Sequence, residues 1–239
     1  MKRPMKSSQW TRAFVAWLVA LVLHPAWAAQ PLVTDDATVV APRSCQLEAW
    51  IRSAGVDRAY WAQPACNFTG NLELSAGGAS VHPDAAESAS MVQLQAKTVL
   101  LATDDHAWSF GAVGGGARDT GAPHGSSAFQ TYYAKALASW YPRGDLEIDL
   151  NVGAANVCGS GTFALAGAAI QYAVLANVQL LAEAFRDQPG TGKYQVGMRW
   201  IVLPNRFEAY ASYGNLFRGS ADRWSAIIGI RLQTPEFLP

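Results

Sequence analysis

Charge, histidine and recognisable catalytic motifs are all scarce in this sequence. Charged residues make up 15% of the 239 residues, whereas an average soluble protein has about 25%. Part of the surface is therefore expected to face something other than water. No G-x-S-x-G, H-E-x-x-H or Walker motif occurs, and these are the common signals of a serine hydrolase, a zinc protease and a nucleotide-binding loop.

The few residues that could support chemistry are scattered along the chain. Gly114-Gly115-Gly116 lacks the lysine of a phosphate cradle and is predicted to be a flexible loop. The stretch Thr103–His106 is predicted to be a turn rather than a metal site. A hydrolase triad that uses His82 or His124 stays open, because triads are assembled in space. We predict no enzyme, no cofactor and no metal site.

Beyond residue 28 the chain has no run of 18 apolar residues, which excludes a membrane-spanning helix. The only other structure that can span a bilayer is a closed β-barrel, because every backbone polar group must be paired within the protein.

Residues 1–28 have the pattern of a signal peptide. Four basic residues precede the apolar run Ala13–Leu23, and Ala26-Trp27-Ala28 fits a cleavage site after Ala28. Eleven apolar residues are too few to span a membrane, so an anchor is the weaker interpretation. Without these four bases, 14 basic and 18 acidic residues remain, a net charge of −4 that argues against a nucleic-acid partner.

The rest of the chain alternates apolar and polar residues with period two, which is typical of strands with two different faces. Twelve strands are predicted, and no linker divides them into domains. They lie near Ser44–Ser53, Arg58–Cys66, Asn71–Val81, Ser90–Leu101, Trp108–Gly115, Ala128–Tyr141, Leu146–Ala155, Thr162–Ala173, Asn177–Phe185, Lys193–Leu203, Arg206–Tyr213 and Trp224–Gln233.

The stretch DLEIDLNVGA, residues 145–154, illustrates the two faces. Leu146, Ile148 and Leu150 alternate with Glu147 and Asp149, so one face is apolar and the other acidic. In a membrane barrel the apolar face contacts lipid and the acidic face lines the lumen, because a charge in lipid is costly. The same alternation would also suit a soluble sheet with its apolar face inward.

The predicted loops favour the membrane barrel. The segments GGARDTGAPHGSS, NVCGSG, RDQPGTG and GNLFRGSAD alternate with the short turns PRG, LAN and PN. Outer-membrane barrels have long extracellular loops and short periplasmic turns, and an even number of strands. The fold class predicted is therefore a single all-β transmembrane antiparallel barrel of about twelve strands, residues 44–239.

Aromatic residues near strand ends are predicted to form two girdles at the membrane interfaces, although the ordinary preference of aromatics for strands explains some of them. They are Tyr60, Trp108, Trp140, Tyr141, Tyr172, Tyr194, Tyr213 and Trp224.

The predicted lumen is polar and nearly balanced in charge, with six acids and five bases. Because a wide ion-selective pore would have an excess of one sign, we expect cross-strand ion pairs and a narrow passage. The lumen-lining candidates are Glu48, Arg52, Glu73, Gln93, Gln95, Lys97, Lys135, Glu147, Asp149, Glu183, Arg199, Glu208 and Arg231.

A two-residue turn at Gly55-Val56 predicts a disulfide between Cys45 and Cys66, because the turn pairs residues whose numbers sum to 111. Two thiols side by side are the alternative. The same register sorts residues by polarity, with Gln46, Glu48, Trp50, Arg52, Trp61 and Gln63 on one face and Leu47, Ala49, Ile51, Tyr60 and Ala62 on the other. Cys158 is left free in a predicted upper loop.

The run Pro31–Ala37 followed by Ser44–Glu48 resembles the start of bacterial outer-membrane proteins of the phenol-degradation meta-pathway type, as does the stretch Tyr60–Ala79. The resemblance covers about the first third of the exported chain. It implies a barrel that passes aromatic or other small organic molecules. It also strengthens the case that residues 29–43, with Thr34, Asp35 and Asp36, form a plug that folds into the lumen, although a solvated periplasmic leader is still the favoured interpretation of this stretch.

The predicted function is an outer-membrane channel or transporter for small, aromatic or hydrophobic solutes. A structural or adhesive barrel without transport and a soluble periplasmic β-sandwich that binds a ligand are the alternatives. The expected partners are outer-membrane lipid, the barrel-assembly machinery and a small solute; no oligomeric state is predicted.

Overall fold

The computed structural model describes residues 32–54, 57–82, 89–103, 107–120, 128–188, 191–218 and 224–238. The regular structure in these ranges is entirely β. The predicted signal peptide lies outside the described residues. Within them, no helix has the length and apolar character needed to cross a membrane.

The described residues form twelve strands, as the alternation predicts. They are β1 Ser44–Ala54, β2 Asp57–Asn67, β3 Leu72–His82, β4 Ala89–Ala102, β5 Trp108–Asp119, β6 Thr131–Arg143, β7 Leu146–Val157, β8 Gly161–Leu175, β9 Val178–Gln188, β10 Thr191–Leu203, β11 Phe207–Leu216 and β12 Ser225–Gln233.

The sheet closes on itself into one barrel. Each strand pairs antiparallel with the next, and β12 returns to β1, where Glu48 lies opposite Arg231 and Trp50 opposite Gly229. Closure leaves no strand edge unpaired, which is what a sheet in lipid requires. The prediction of a twelve-stranded antiparallel barrel is confirmed, and the alternative of a β-sandwich is wrong.

The first hairpin has the register in which residue numbers sum to 111, and it brings Cys45 opposite Cys66. The two cysteines form a disulfide with their Cα atoms 4.1 Å apart, and Cys158 is an exposed free thiol. The turn residues 55 and 56 lie outside the described residues.

We call the end of the barrel where β1 begins the lower end, and the opposite end the upper end. Two upper connections are shorter than the sequence predicts. Strand β7 continues to Val157 and β8 begins at Gly161, and β9 continues to Gln188 with β10 beginning at Thr191. Both predicted loops are partly strand, because their backbone N–H and C=O groups form hydrogen bonds across the hairpin. The glycines 114–116, predicted as a loop, lie within β5 for the same reason.

The two faces of the strands differ sharply in exposure. On β7, Leu150 is 49% exposed and Val152 is 66% exposed, whereas Glu147 and Asp149 are buried inside. Apolar side chains cover the outside of the other strands in the same way, including Ile51, Leu94, Val196 and Ile228. An apolar outer surface around a polar interior is the inversion expected in lipid.

Tyr141 is an exception among the predicted girdle residues. It has the same strand parity as Ser139, whose side chain is fully buried in the lumen, and its hydroxyl lies near Glu147. Trp140, by contrast, points outward and stacks on Trp108 with ring centroids 5.4 Å apart. The assignment of Tyr141 to a membrane girdle is therefore wrong, since neighbouring residues of a strand point to opposite faces.

Candidate functional site: the barrel lumen

Residues 32–43, which we call the N-terminal segment, lead into β1, and residues 32–40 lie inside the barrel. The segment enters at the lower end, next to the start of β1, and reaches the middle of the lumen at Val33. Because it has no regular structure, its backbone groups need partners other than its own chain. The strand side chains provide these partners.

Acidic and amide side chains of the wall bind the backbone of the segment. Glu183 accepts hydrogen bonds from the backbone N–H groups of Val33 and Thr34, both at 2.8 Å. Asn151 accepts from the N–H of Asp35 at 2.8 Å and donates to its carbonyl at 2.7 Å. A carboxylate that accepts two N–H bonds holds a chain in one register, so Glu183 positions the segment.

The lower part of the segment is bound in the same way. Ser139 accepts from the N–H of Ala37 at 2.8 Å, and Ser109 donates to the Ala37 carbonyl at 2.6 Å. Glu73 accepts from the N–H of Val40 at 2.9 Å, while Asn67 donates to its carbonyl at 2.7 Å. The predicted lumen residues Glu73 and Glu183 are therefore contacts of the segment.

Two lysines of the wall pair with the two aspartates of the segment. The Lys97 ammonium lies 2.6 Å from the Asp36 carboxylate, with side-chain exposures of 10% and 0%. Lys135 pairs with Asp35. Burial alone would raise the pKa of Asp35, but the ammonium groups of Lys135 and Lys97 outweigh it and hold the pKa below its usual value. These two lysines therefore form ion pairs with the segment, and not the ion pairs between strands that the sequence predicts.

The shape of the wall also fits the segment. A side chain at Gly167 would overlap the Thr34 side chain, because its Cβ would lie closer than van der Waals contact to the Thr34 hydroxyl oxygen. Ala37 packs against Val113 and Leu137 in a small buried apolar cluster. Glycine at 167 therefore leaves the space that the segment occupies.

A second charged group is formed between strands, as the near balance of acids and bases in the lumen predicts. Arg231 donates to Glu208 at 2.6 Å, and the Arg199 guanidinium lies 3.7 Å from the same carboxylate. Glu48 faces Arg231 directly across β1 and β12. These four side chains are all at most 6% exposed, so the group fills the lumen rather than lining an aqueous pore.

The acidic face of β7 lies deep in the lumen. Asp149 is fully buried and accepts hydrogen bonds from Ser139 at 2.6 Å and Gln171 at 2.9 Å. Glu147 lies two residues away on the same face, with Tyr141 nearby. The hydroxyl and amide donors stabilise the carboxylate in a site that is shielded from water.

The free space in the lumen is divided by the segment. Between the segment and the lower wall, a cavity of about 40 Å³ has room for only a few water molecules. Above the segment, a cavity of about 410 Å³ opens at the upper end, and we call it the vestibule. Leu32, Val33 and Asp35 form its floor, and the predicted lumen residues Arg52, Gln93 and Gln95 lie in its wall.

The vestibule also contains aromatic residues that the predicted site omitted. Trp50 and Trp61 face each other across β1 and β2 and stack with ring centroids 5.4 Å apart and planes at 3°. The predicted register placed both tryptophans on the polar face of the hairpin, and this placement could have identified them as lumen residues. Ser109, Ser139 and Asn67 gave no signal, because they bind the segment only once the barrel is closed.

Within the parts of the chain that the structure describes, no group of three or more histidine, cysteine or carboxylate side chains is placed to hold a metal ion. Asp104, Asp105 and His106 of the predicted turn lie outside those parts. His82 ends β3 and contacts the Ser80 hydroxyl at 3.0 Å.

A family model described as "Uncharacterised conserved protein UCP029691" matches residues 17–234. No curated protein matches the sequence. Among solved structures, the KdgM porin is similar with a TM-score of 0.62 at 12% identity, over 78% of this chain and 98% of that chain. An outer-membrane channel from Pseudomonas putida F1 has a TM-score of 0.57 at 12% identity, over 87% and 100% of the two chains.

The NanC porin is similar as well, with a TM-score of 0.59 at 12% identity, over 79% of this chain and 98% of that chain. At such low identity these similarities describe the fold, which is that of outer-membrane barrels.

Proposed function

The chain belongs to the family described as Uncharacterised conserved protein UCP029691, and we propose that it is an outer-membrane channel for small molecules. The observation that supports this most directly is the vestibule, an open cavity of about 410 Å³ inside a barrel whose outer surface is apolar. Such an outer surface is stable only in lipid, and the lumen then connects two aqueous compartments.

We further propose that the N-terminal segment is the gate of this channel. In the docked state the cavity between the segment and the lower wall has a volume of about 40 Å³, too small for an organic solute. Passage therefore requires the segment to move. Its contacts are hydrogen bonds and ion pairs to side chains rather than a continuous apolar core, so it can separate from the wall without unfolding the barrel.

Two observations support small organic solutes. The first is the likeness of residues 31–48 to barrels of the phenol-degradation meta-pathway type, to which we assign the chain as the finer hypothesis. The second is that one solved KdgM structure is described as a complex with disordered oligogalacturonate, so a barrel of this fold can bind an organic molecule.

The proposed route to the membrane starts from the signal peptide, residues 1–28, with cleavage after Ala28. The mature chain then consists of the N-terminal segment within residues 29–43 and the barrel, residues 44–239. Outer-membrane lipid and the barrel-assembly machinery are the partners that a barrel of this kind needs.

A structural or adhesive barrel without transport is the second candidate, and the tightly bound segment favours it. Reconstitution in planar bilayers distinguishes the two. The full chain should show small or intermittent conductance, and a variant that lacks residues 32–41 should conduct more strongly. Heat-modifiable gel migration checks that both are folded. If neither conducts, transport is refuted and the structural role is favoured.

A further inference from the structure

The aromatic residues of the vestibule are arranged as a binding surface. Trp50 and Trp61 point into the lumen because they share strand parity with Glu48 and Gln63, both buried inside. Tryptophan in a membrane barrel is usually found outside, at the lipid interface. Two indoles stacked in parallel inside a polar lumen instead provide a rigid apolar face next to water.

The far wall of the vestibule is aromatic as well. Phe163 on β8 and Phe185 on β9 line it, opposite the first hairpin. The cavity volume of about 410 Å³ lies in the range of small-molecule sites, which are mostly apolar and have a few placed polar groups. The vestibule thus has aromatic side chains on two opposite sides of its wall.

Several polar side chains of the vestibule already bind one another. Gln93 donates to the Tyr133 hydroxyl at 3.2 Å, and that hydroxyl donates to Gln95 at 2.7 Å. Lys193 pairs with Asp187 at 2.8 Å. These amide, hydroxyl and charged groups are therefore already engaged, which disfavours a ligand that needs many hydrogen bonds, such as a sugar.

Arg52 differs from these side chains. It lines the vestibule, and none of the ion pairs between described residues involves it. It lies two positions after Trp50 on the same face of β1, about 7 Å along the strand. A guanidinium binds a carboxylate through two parallel hydrogen bonds, so Arg52 can hold an acid group on a ring that lies against the indoles.

We propose that the vestibule is a binding site for aromatic monocarboxylates, in which the ring stacks on Trp50 and Trp61 and the carboxylate pairs with Arg52. This inference rests on the proposed channel function, because it names the class of solute that the channel would take up. The site lies above the N-terminal segment, so binding does not require the gate to open.

The test is benzoate binding by the full-length protein in detergent micelles, measured by equilibrium dialysis. Arg52→Gln should weaken benzoate binding about tenfold to a hundredfold, the usual range for losing hydrogen bonds to a charged group. Trp61→Leu should weaken it about two- to tenfold through lost stacking. Arg206→Gln, in the connection between β10 and β11 at the lower end, is the matched control and should bind as the wild type does.

Two further probes separate the ring from the charge. Cyclohexanecarboxylate keeps the charge without an aromatic face, and galacturonate is an acid on a sugar ring; both should bind more weakly than benzoate. Tighter binding of galacturonate, equal binding by Arg52→Gln, or no binding of benzoate by folded wild type would each overturn the proposal. Dialysis does not depend on conductance. A barrel that conducts but does not bind benzoate would therefore refute the binding site and leave the channel function intact.

Discussion

Replacing Lys97 with methionine should release the N-terminal segment. Methionine keeps most of the side-chain volume but removes the charge that lies 2.6 Å from the fully buried Asp36 carboxylate. Asp36 then interacts electrostatically with the carboxyl groups of Glu147 and Asp149 without the ammonium group that lies directly against it in the wild type. The segment can relieve this by leaving the lumen.

The expected size follows from the burial of the pair. Removing one partner of a buried ion pair typically costs about 3–5 kcal/mol, because the other charge is left uncompensated. If that cost falls on docking, the undocked population rises about 150- to 5,000-fold. A pair on the surface would give far less, since exposed ion pairs contribute about 0–1 kcal/mol.

Thiol labelling measures this population. Val40 is 4% exposed, so a Val40→Cys side chain in a Cys158→Ser background reacts only when the segment leaves the wall. When undocking and redocking are fast, the labelling rate is proportional to the undocked population. Lys97→Met should raise that rate, and Lys97→Met combined with Asp36→Asn should return it part of the way.

Lys193→Met is the matched control. Lys193 also pairs with an aspartate, but its partner Asp187 belongs to the wall of the vestibule and not to the segment. Its substitution should leave the labelling rate unchanged. Equal rates for Lys97→Met and the wild type, with both barrels folded by heat-modifiable migration, would refute the idea that this ion pair holds the segment.

Two other predictions concern the wall of the barrel. Ile148→Arg should prevent assembly into lipid vesicles, because a charge near the bilayer midplane costs roughly 2–4 kcal/mol. Asp149→Asn, on the inner face, should fold far better. Equal folded fractions of the two variants would refute the assigned faces. Cys158, an exposed thiol at the upper end, should react with a membrane-impermeant maleimide on intact cells. A Gly144→Cys thiol at the lower end, in a Cys158→Ser background, should not react. The reverse pattern would show that the barrel has the opposite orientation in the membrane.

Local features of the wall could be predicted because they depend on neighbours in the sequence. The outward direction of Leu150 and the inward direction of Asp149 follow from a period of two, which any strand imposes. The pairing of Cys45 with Cys66 follows from the length of one turn. The same alternation, applied to Ser139, also indicates that Tyr141 faces inward, although its place near a strand end suggested a girdle.

The extent of the strands was less predictable. The sequence around Cys158 and the stretch Pro189-Gly190 contain turn residues, which favour loops. Strands β7 to β10 nevertheless extend towards both positions, because each backbone group in a hairpin is satisfied by the chain beside it. The residue types of either stretch give no sign of this pairing, because it depends on the neighbouring strand.

By itself, the sequence determined the number of strands, their faces and the first hairpin register, since all three are set by alternation and short turns. Only the tertiary structure decided what fills the lumen. Asp36 and Lys97 are 61 residues apart, and Val33 and Glu183 are 150 apart. No local pattern relates such residues; they meet because the barrel closes and encloses polar side chains that need partners where water is scarce.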